Sequence, residues 1–326
     1  MTHDHPYASL TPDLVLTAVE STGLMTDARI SALNSYENRV YQVGIESAQP
    51  IIVKFYRPER WTDEQILEEH QFTLALQDLE ISVVAPSVDA EGKTLHQYEQ
   101  FRFALYPRQG GHAPNLDDMD TLLSLGSSLG RIHALGKAKP FEYRPEITLQ
   151  TFGLDSVEFL LSNQFIPDSL QKAYSSLVDD LLKTCNEKMQ IPYERIRLHG
   201  DCHPGNILWR HDTAHFVDFD DARNGPAIQD LWMLLSGERQ QQTEQLSEIL
   251  EGYREFCDFD LRELPLIESL RSLRIIHYSA WLARRWQDPA FPKFFPWFNT
   301  ERYWGEHILQ LREQLAAINE PPLVIY

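Results

Sequence analysis

Between residues 197 and 221 a stretch of loop and short strand interrupts a run of helical segments. It carries H-G-D-C-H-P-G-N-I-L-W, starting at His199. Pro204 and Gly205 keep this stretch from continuing as helix, so Asp201 and Asn206 stand five residues apart on a loop. The apolar run at residues 207–209 follows, then a turn, then a strand at residues 215–218 that ends on Asp218, twelve residues past Asn206. A single Asp or Asn in a loop is usually a turn or cap residue. Three of them at these intervals on loop and strand end are harder to explain by turns. Phosphoryl transfer asks little covalent chemistry of a protein. It needs a carboxylate to orient the attacking hydroxyl and oxygen ligands for a magnesium ion bridging the phosphates. Asp201 suits the first role, and Asn206 and Asp218 suit the second.

The rest of the chain divides around this segment. Residues 11–23 read as a short helix with Thr11 as N-cap and Pro12 at the first helical position. Strands are expected at residues 40–43 and 51–56, the latter a β-branched run, I-I-V-K-F-Y, containing Lys54. A helix over residues 62–77 opens on a capping box, Thr62 with Gln65, and carries Ile66, Leu67, His70, Leu74 and Leu76 on its apolar side. Two more strands are expected near Leu95 and at residues 101–105. Pro107 and the pair Gly110-Gly111 end this pattern. Helices then follow at residues 119–135, 169–188, 244–256, 264–286 and 301–317. The expected fold class is α+β: a β-rich lobe over residues 1–106, a hinge at 107–112 and a helical lobe over 113–326, with a cleft between them.

Composition narrows the partners. At 326 residues the chain exceeds what one core usually holds, and 43% apolar residues with 7 Trp can fill two. Acidic residues exceed basic ones by 48 − 29 = 19, a field that repels phosphate backbones and anionic lipid. Neither nucleic acid nor membrane is expected as a partner, and a cationic or polar substrate is. Cys185, Cys202 and Cys257 form no C-x-x-C pair. No run of 18 apolar residues occurs, and the N-terminal stretch lacks an apolar leader, so a cytoplasmic protein is expected. His199, Cys202 and His203 lack the second pair that a zinc site needs.

The motif H-x-D-x-x-x-x-N followed by V-D-F resembles the catalytic and metal loops of protein kinases and aminoglycoside-phosphotransferase-like kinases. The H-G-D and H-P-G-N spellings lean toward the latter group. The resemblance spans about residues 33–286. The stretches N-S-Y-E-N-R-V-Y, V-K-F-Y-R-P-E-R-W, Q-I-L-E-E-H-Q-F and D-D-A-R-N-G-P-A-I-Q-D-L-W-M-L-L resemble a family of bacterial stress-response Ser/Thr protein kinases. That resemblance implies a two-lobed kinase-like fold, with ATP as co-substrate, Mg²⁺ as cofactor and protein serine or threonine, including the chain's own, as acceptor. It implies Asp201 and Asp218 as catalytic residues, with Asn206 and Asp218 on the metal. Lys54 would pair the α- and β-phosphates, and Glu69, or else Glu68, would pair Lys54. Ser35 would lie in the phosphate loop.

By itself, a lysine in a β-branched run is more often a surface residue on an edge strand. The pattern also departs from that of protein kinases in three places. No G-x-G-x-x-G precedes Lys54, where L-N-S-Y-E-N-R-V stands instead; His203 replaces a frequent lysine; and D-F-D-D replaces D-F-G. Only eleven residues separate Asp218 from Asp230, too few for a long activation loop. The aromatic stretch at residues 291–298 reads as a packing segment, and the nine carboxylates of residues 238–268 as a solvated face. A small-molecule kinase acting on an amino-alcohol, sugar or aminoglycoside is the alternative reading. A pseudokinase is a third, and the presence of Lys54, Asp201 and Asp218 opposes it.

Overall fold

The computed structural model describes residues 5–325, and its first element is set by a cap. The Thr11 side chain accepts the Leu14 amide and Pro12 opens the helix, so α1 (Pro12–Glu20) begins where the sequence puts it. Then come β1 (Thr26–Ala32), β2 (Arg39–Ile45), β3 (Ile51–Phe55), α2 (Asp63–Asp78), β4 (His96–Tyr98) and β5 (Phe101–Pro107). The five strands form one antiparallel sheet in the order β1-β2-β3-β5-β4. β3 is therefore central, and Lys54 lies between Val40 on β2 and Ala104 on β5. Lys54 is not an edge-strand residue; it is only 7% exposed.

Side chains alternate across a strand, so Val53 and Phe55 turn one way and Lys54 the other. Val53 and Phe55 pack with Val43 and Phe103 under Val15, Ala18 and Val19 of α1. On the Lys54 face, Ala104 packs with Ile66 of α2. Both halves of the Thr62–Gln65 capping box are made. The buried side of α2 is half polar: Glu69, His70 and Thr73 stand beside Ile66, Phe72 and Leu76. Leu67, assigned to the apolar side from sequence, is exposed. A helix that faces a buried lysine must offer it polar groups, and this overrides the simple apolar stripe.

Past Pro107 the chain is mainly helical. The order is α3 (Met119–Gly136), α4 (Asp155–Ser162), α5 (Asp168–Lys188), β6 (Ile196–Leu198), β7 (Ile207–Arg210), β8 (Thr213–Phe216), β9 (Arg223–Gly225), α6 (Ile228–Trp232), α7 (Arg239–Tyr253), α8 (Ile267–Arg284), α9 (Ala290–Phe294) and α10 (Glu301–Ile318). β6 pairs with β9, and β7 with β8, both antiparallel. α3 and α7 meet backbone to backbone, because a Cβ at Gly126 or Gly130 would overlap the carbonyls of Ile249 or Tyr253. α7 starts before the expected residue 244, since Gln240, Gln241 and Gln242 are helical without carrying an apolar period. α8 starts later than expected, after a 3₁₀ segment, Leu261–Leu266, that contains Pro265. In the aromatic stretch, Phe291, Phe295 and Phe298 are buried in the helical core, as the packing reading expects. No helix among the described residues is long and apolar enough to cross a membrane.

Candidate active site

The loop after β6 is held from below by one carboxylate. Asp230, on α6 and fully buried, accepts the amides of His199 at 2.8 Å and Gly200 at 2.9 Å, and its Oδ2 lies 3.0 Å from His133 Nε2. Burial pushes the Asp230 carboxyl up, yet His133, His199 and the Gly200 amide bring it below its ordinary value. Gly200 has φ +84° and faces the Asp221 carbonyl too closely for any side chain, so the turn there requires glycine. His199 Nε2 lies 2.9 Å from the Val217 carbonyl, which ties the loop to the segment leading into Asp218. Asp230→Ala would leave two loop amides and His133 Nε2 unpaired. Such a change is expected to cost about 3 kcal/mol, as breaking a buried charged contact does. Urea unfolding measures it, and a loss near zero would show that the loop is held by other means.

The loop places Asp201 on the cleft. Asn206 Nδ2 donates to the Asp201 carbonyl at 3.0 Å, and the Val217 amide donates to the Asn206 carbonyl at 3.0 Å. Arg274 of α8 brings Nη2 to 2.5 Å from Asp201 Oδ1. His203 Nδ1 accepts the Gly205 amide at 3.0 Å, which closes the turn, while its Nε2 is 3.6 Å from Asp201 Oδ2. Asp218 stands beyond β8 at φ 60°, ψ 60°, a left-handed conformation that Asp tolerates better than most residues. Its side chain is half exposed into the cleft, and its Oδ1 accepts from Lys54 Nζ at 2.8 Å.

Lys54 also reaches Asp220 Oδ1 at 3.3 Å. Burial disfavours the ammonium, but Asp218 and Asp220 outweigh it and hold the pKa of Lys54 well above its ordinary value. Asp220 and Asp221 are drawn to Arg60, and Asp221 also to Arg223 at 2.7 Å. Glu69 points into the same interior, and its ion pair is with Arg144, at 3.5 Å. The sequence-based pairing of Lys54 with Glu69 is thus replaced here by Lys54 with Asp218 and Asp220. Burial outweighs the pull of Lys54 and Arg144 and raises the Glu69 carboxyl to about 7. Glu68, the other candidate, turns away and accepts the amides of Glu142, Tyr143 and Arg144 at 2.5–2.9 Å.

Ser35 lies on the loop over the cleft, residues 33–38, and its hydroxyl donates to the Asn38 carbonyl at 3.0 Å, inside the loop's own turn. This loop is latched to the helical lobe. Glu37 accepts from Trp281 Nε1 at 2.5 Å and pairs with Arg285, while Tyr36 packs edge-on against Phe294 and Phe295. Beside it, buried Asp288 takes Arg39 at 3.2 Å and Arg57 at 3.1 Å, both from the sheet lobe. Together these elements enclose a cavity of about 910 Å³, lined by Lys54, Asp201, Asn206, Asp218 and the inner face of α8.

Sequence reasoning missed Arg60, Arg144, Arg274, Glu37 and Asp288. The three acid–base pairs that form the latch, Glu37 with Arg285 and Asp288 with Arg39 and Arg57, join residues more than 200 positions apart, and no local pattern marks them. Arg274 had a signal, its helical spacing with Tyr278, Trp281 and Arg285. Asn206 and Asp218 both line the cleft. Among the described residues no three His, Cys, Asp or Glu side chains cluster to cage a metal. One carboxylate and one amide oxygen, with room left open, is the donor set Mg²⁺ accepts when phosphates complete its shell, so these residues fit that ion.

A buried lysine on a central strand, facing an aspartate across a cleft from a loop carboxylate, is the layout of a kinase. The family model described as "Phosphotransferase enzyme family" matches residues 29–267, and the chain belongs to that family. It is 46% identical over 317 residues to "Stress response kinase A" of Escherichia coli (strain K12), covering 97% of this chain and 96% of that one. It is 45% identical, with the same coverage, to "Serine/threonine protein kinase RdoA" of Salmonella typhimurium. Among solved structures, amicoumacin kinase hAmiN in complex with AMP-PNP, Ca²⁺ and Ami superposes with a TM-score of 0.73 at 20% identity, over 96% of this chain and 94% of that one. The chain is thus an ATP-using kinase of two-lobed α+β fold.

Proposed function

We propose that this kinase phosphorylates serine and threonine hydroxyls on protein, with Mg²⁺ held by Asn206 and Asp218. The observation that carries the acceptor class is the near end-to-end similarity to relatives named as stress response and Ser/Thr protein kinases. Residues 1–106 serve as the nucleotide lobe, 107–112 as the hinge and 113–326 as the catalytic lobe. Lys54, centred in the sheet, grips the α- and β-phosphates, and its release from Asp218 and Asp220 accompanies nucleotide entry. Asp201 accepts a hydrogen bond from the acceptor hydroxyl and aims its oxygen at the γ-phosphorus. When bound, Mg²⁺ neutralises charge on the phosphates and aligns them. Backbone amides of residues 33–38, rather than the Ser35 hydroxyl alone, cover the phosphates. Three free, buried cysteines suit a cytoplasmic setting.

The fold likeness to amicoumacin kinase supports a small-molecule acceptor as the second reading. Incubation with γ-labelled ATP and Mg²⁺ separates the two. Phosphoserine and phosphothreonine in the acid hydrolysate of added protein, and of the chain itself, are the expected result. Their absence, together with rapid labelling of an amino-alcohol or aminoglycoside, would hand the case to the second reading.

A further inference from the structure

We infer that the acceptor groove takes an acidic peptide segment, one with aspartate or glutamate flanking the serine or threonine. The inference rests on the protein-kinase reading above and names its substrate class. It also reverses the expectation of a cationic substrate drawn from net charge. Five carboxylates line the cleft, and each already faces a cation. Asp220 faces Lys54 and Arg60, Asp221 faces Arg60 and Arg223, Glu37 faces Arg57 and Arg285, Asp218 faces Lys54, and Asp201 faces Arg274. An ammonium group entering this cleft meets carboxylates that already have a cationic partner, Lys54 for half-exposed Asp218 and an arginine for each of the other four. A net charge of −19 on the whole chain thus coexists with a cleft in which acids are already matched.

The wall beyond Asp201 is of opposite character. Arg274, His277, Tyr278, Trp281 and Arg284 of α8 line the cavity at helical spacing, on one face of the helix. The ten-residue step from Arg274 to Arg284 spans about 15 Å along the axis, the reach of roughly four or five residues of extended peptide. Cations stand at both ends of this track. Arg274 begins it, its one ion pair among the described residues being with Asp201, which leaves other guanidinium N–H groups for a ligand. Arg284 ends it, exposed, with Nη2 donating to the Asp155 carbonyl at 3.2 Å and its guanidinium over the Phe159 ring. The Asp155 side chain has its Oδ1 engaged by Gln150 Nε2 at 2.6 Å. Tyr278 and Trp281 stack between the two arginines and provide an apolar floor. A segment that places its hydroxyl at Asp201 lays its neighbouring residues along this track, where acidic side chains meet fixed guanidinium groups and basic ones meet like charge.

The test uses two peptides of equal length, each with one serine, flanked by Asp and Glu in one and by Lys and Arg in the other. Wild-type protein is expected to show at least tenfold higher kcat/KM on the acidic peptide, an advantage that shrinks as salt rises. Arg284→Glu is expected to collapse or invert that ratio. Both peptides are assayed on the same preparation, so the ratio does not depend on the fraction folded. Labelled peptides with a ratio near one, or favouring the basic peptide, or a ratio unmoved by Arg284→Glu, would overturn this inference and leave the protein-kinase reading standing. No label on either peptide or on any protein, with turnover of an amino-alcohol, would overturn that reading itself.

Discussion

Asp201→Ala is expected to lower kcat by roughly 10³-fold, within the range a positioned acid–base group supplies, while KM for ATP changes little. The separation follows from geometry. The side-chain oxygens of Asp201 face Arg274 and His203, whereas Lys54 and Asp218, which the proposed function gives to the nucleotide, pair with each other and not with Asp201. Asp201 also contributes little to the fold. Its ion pair with Arg274 is partly exposed and is expected to be worth on the order of 1 kcal/mol or less after solvent screening. Asp201→Asn preserves the side-chain volume and should show a similar loss, which separates the carboxylate's charge from its packing. Steady-state kinetics with ATP titrated at saturating acceptor provide the measurement. Retention of a tenth of wild-type kcat in the purified Ala variant would remove Asp201 from its role.

How much of this site was legible depended on sequence distance. Asp201, Asn206 and Asp218 were readable because one short segment fixes all three, and its proline and glycines declare a loop. The start of α1 was readable because Thr11 and Pro12 are local signals. Lys54 was readable as an unusual residue in a β-branched run, but its company was not. Its aspartates lie more than 160 positions away, and the helix carrying Glu69 offered two neighbouring glutamates with identical local context. Only the packed structure separates them: Glu69 turns inward toward Arg144, and Glu68 caps the turn at residues 142–144. The latch was invisible for the same reason. Glu37 and Asp288 are ordinary surface acids until the two lobes bring Arg285 to the first and Arg39 and Arg57 to the second. Net charge was a blunt guide, because it averages over the whole surface and says nothing of how the acids lining the cleft are paired with Lys54 and arginines.

Asp218→Asn is the second substitution expected to be severe, and its design follows from the backbone. Asp218 sits in the left-handed region, which Asn also tolerates, whereas alanine there adds strain of about 1 kcal/mol. Asparagine therefore removes the charge and keeps the turn. Lys54 loses one of its two partners, yet buried Asp220 at 3.3 Å remains beside it, so the sheet should keep its lysine in place. What the variant lacks is the hard anionic oxygen that a Mg²⁺–nucleotide complex would use, leaving Asn206 and an amide oxygen in its stead. Activity is expected to fall by about 10³-fold, comparable to other losses of electrostatic stabilisation in phosphoryl transfer. The Mg²⁺ concentration giving half-maximal rate is expected to rise, while the thermal midpoint of the ligand-free protein shifts little. That combination marks a ligand rather than a structural residue. A Mg²⁺ titration superimposable on wild type would take Asp218 out of the metal site, and a large drop in the thermal midpoint would recast it as a residue whose pair with Lys54 holds the two lobes together.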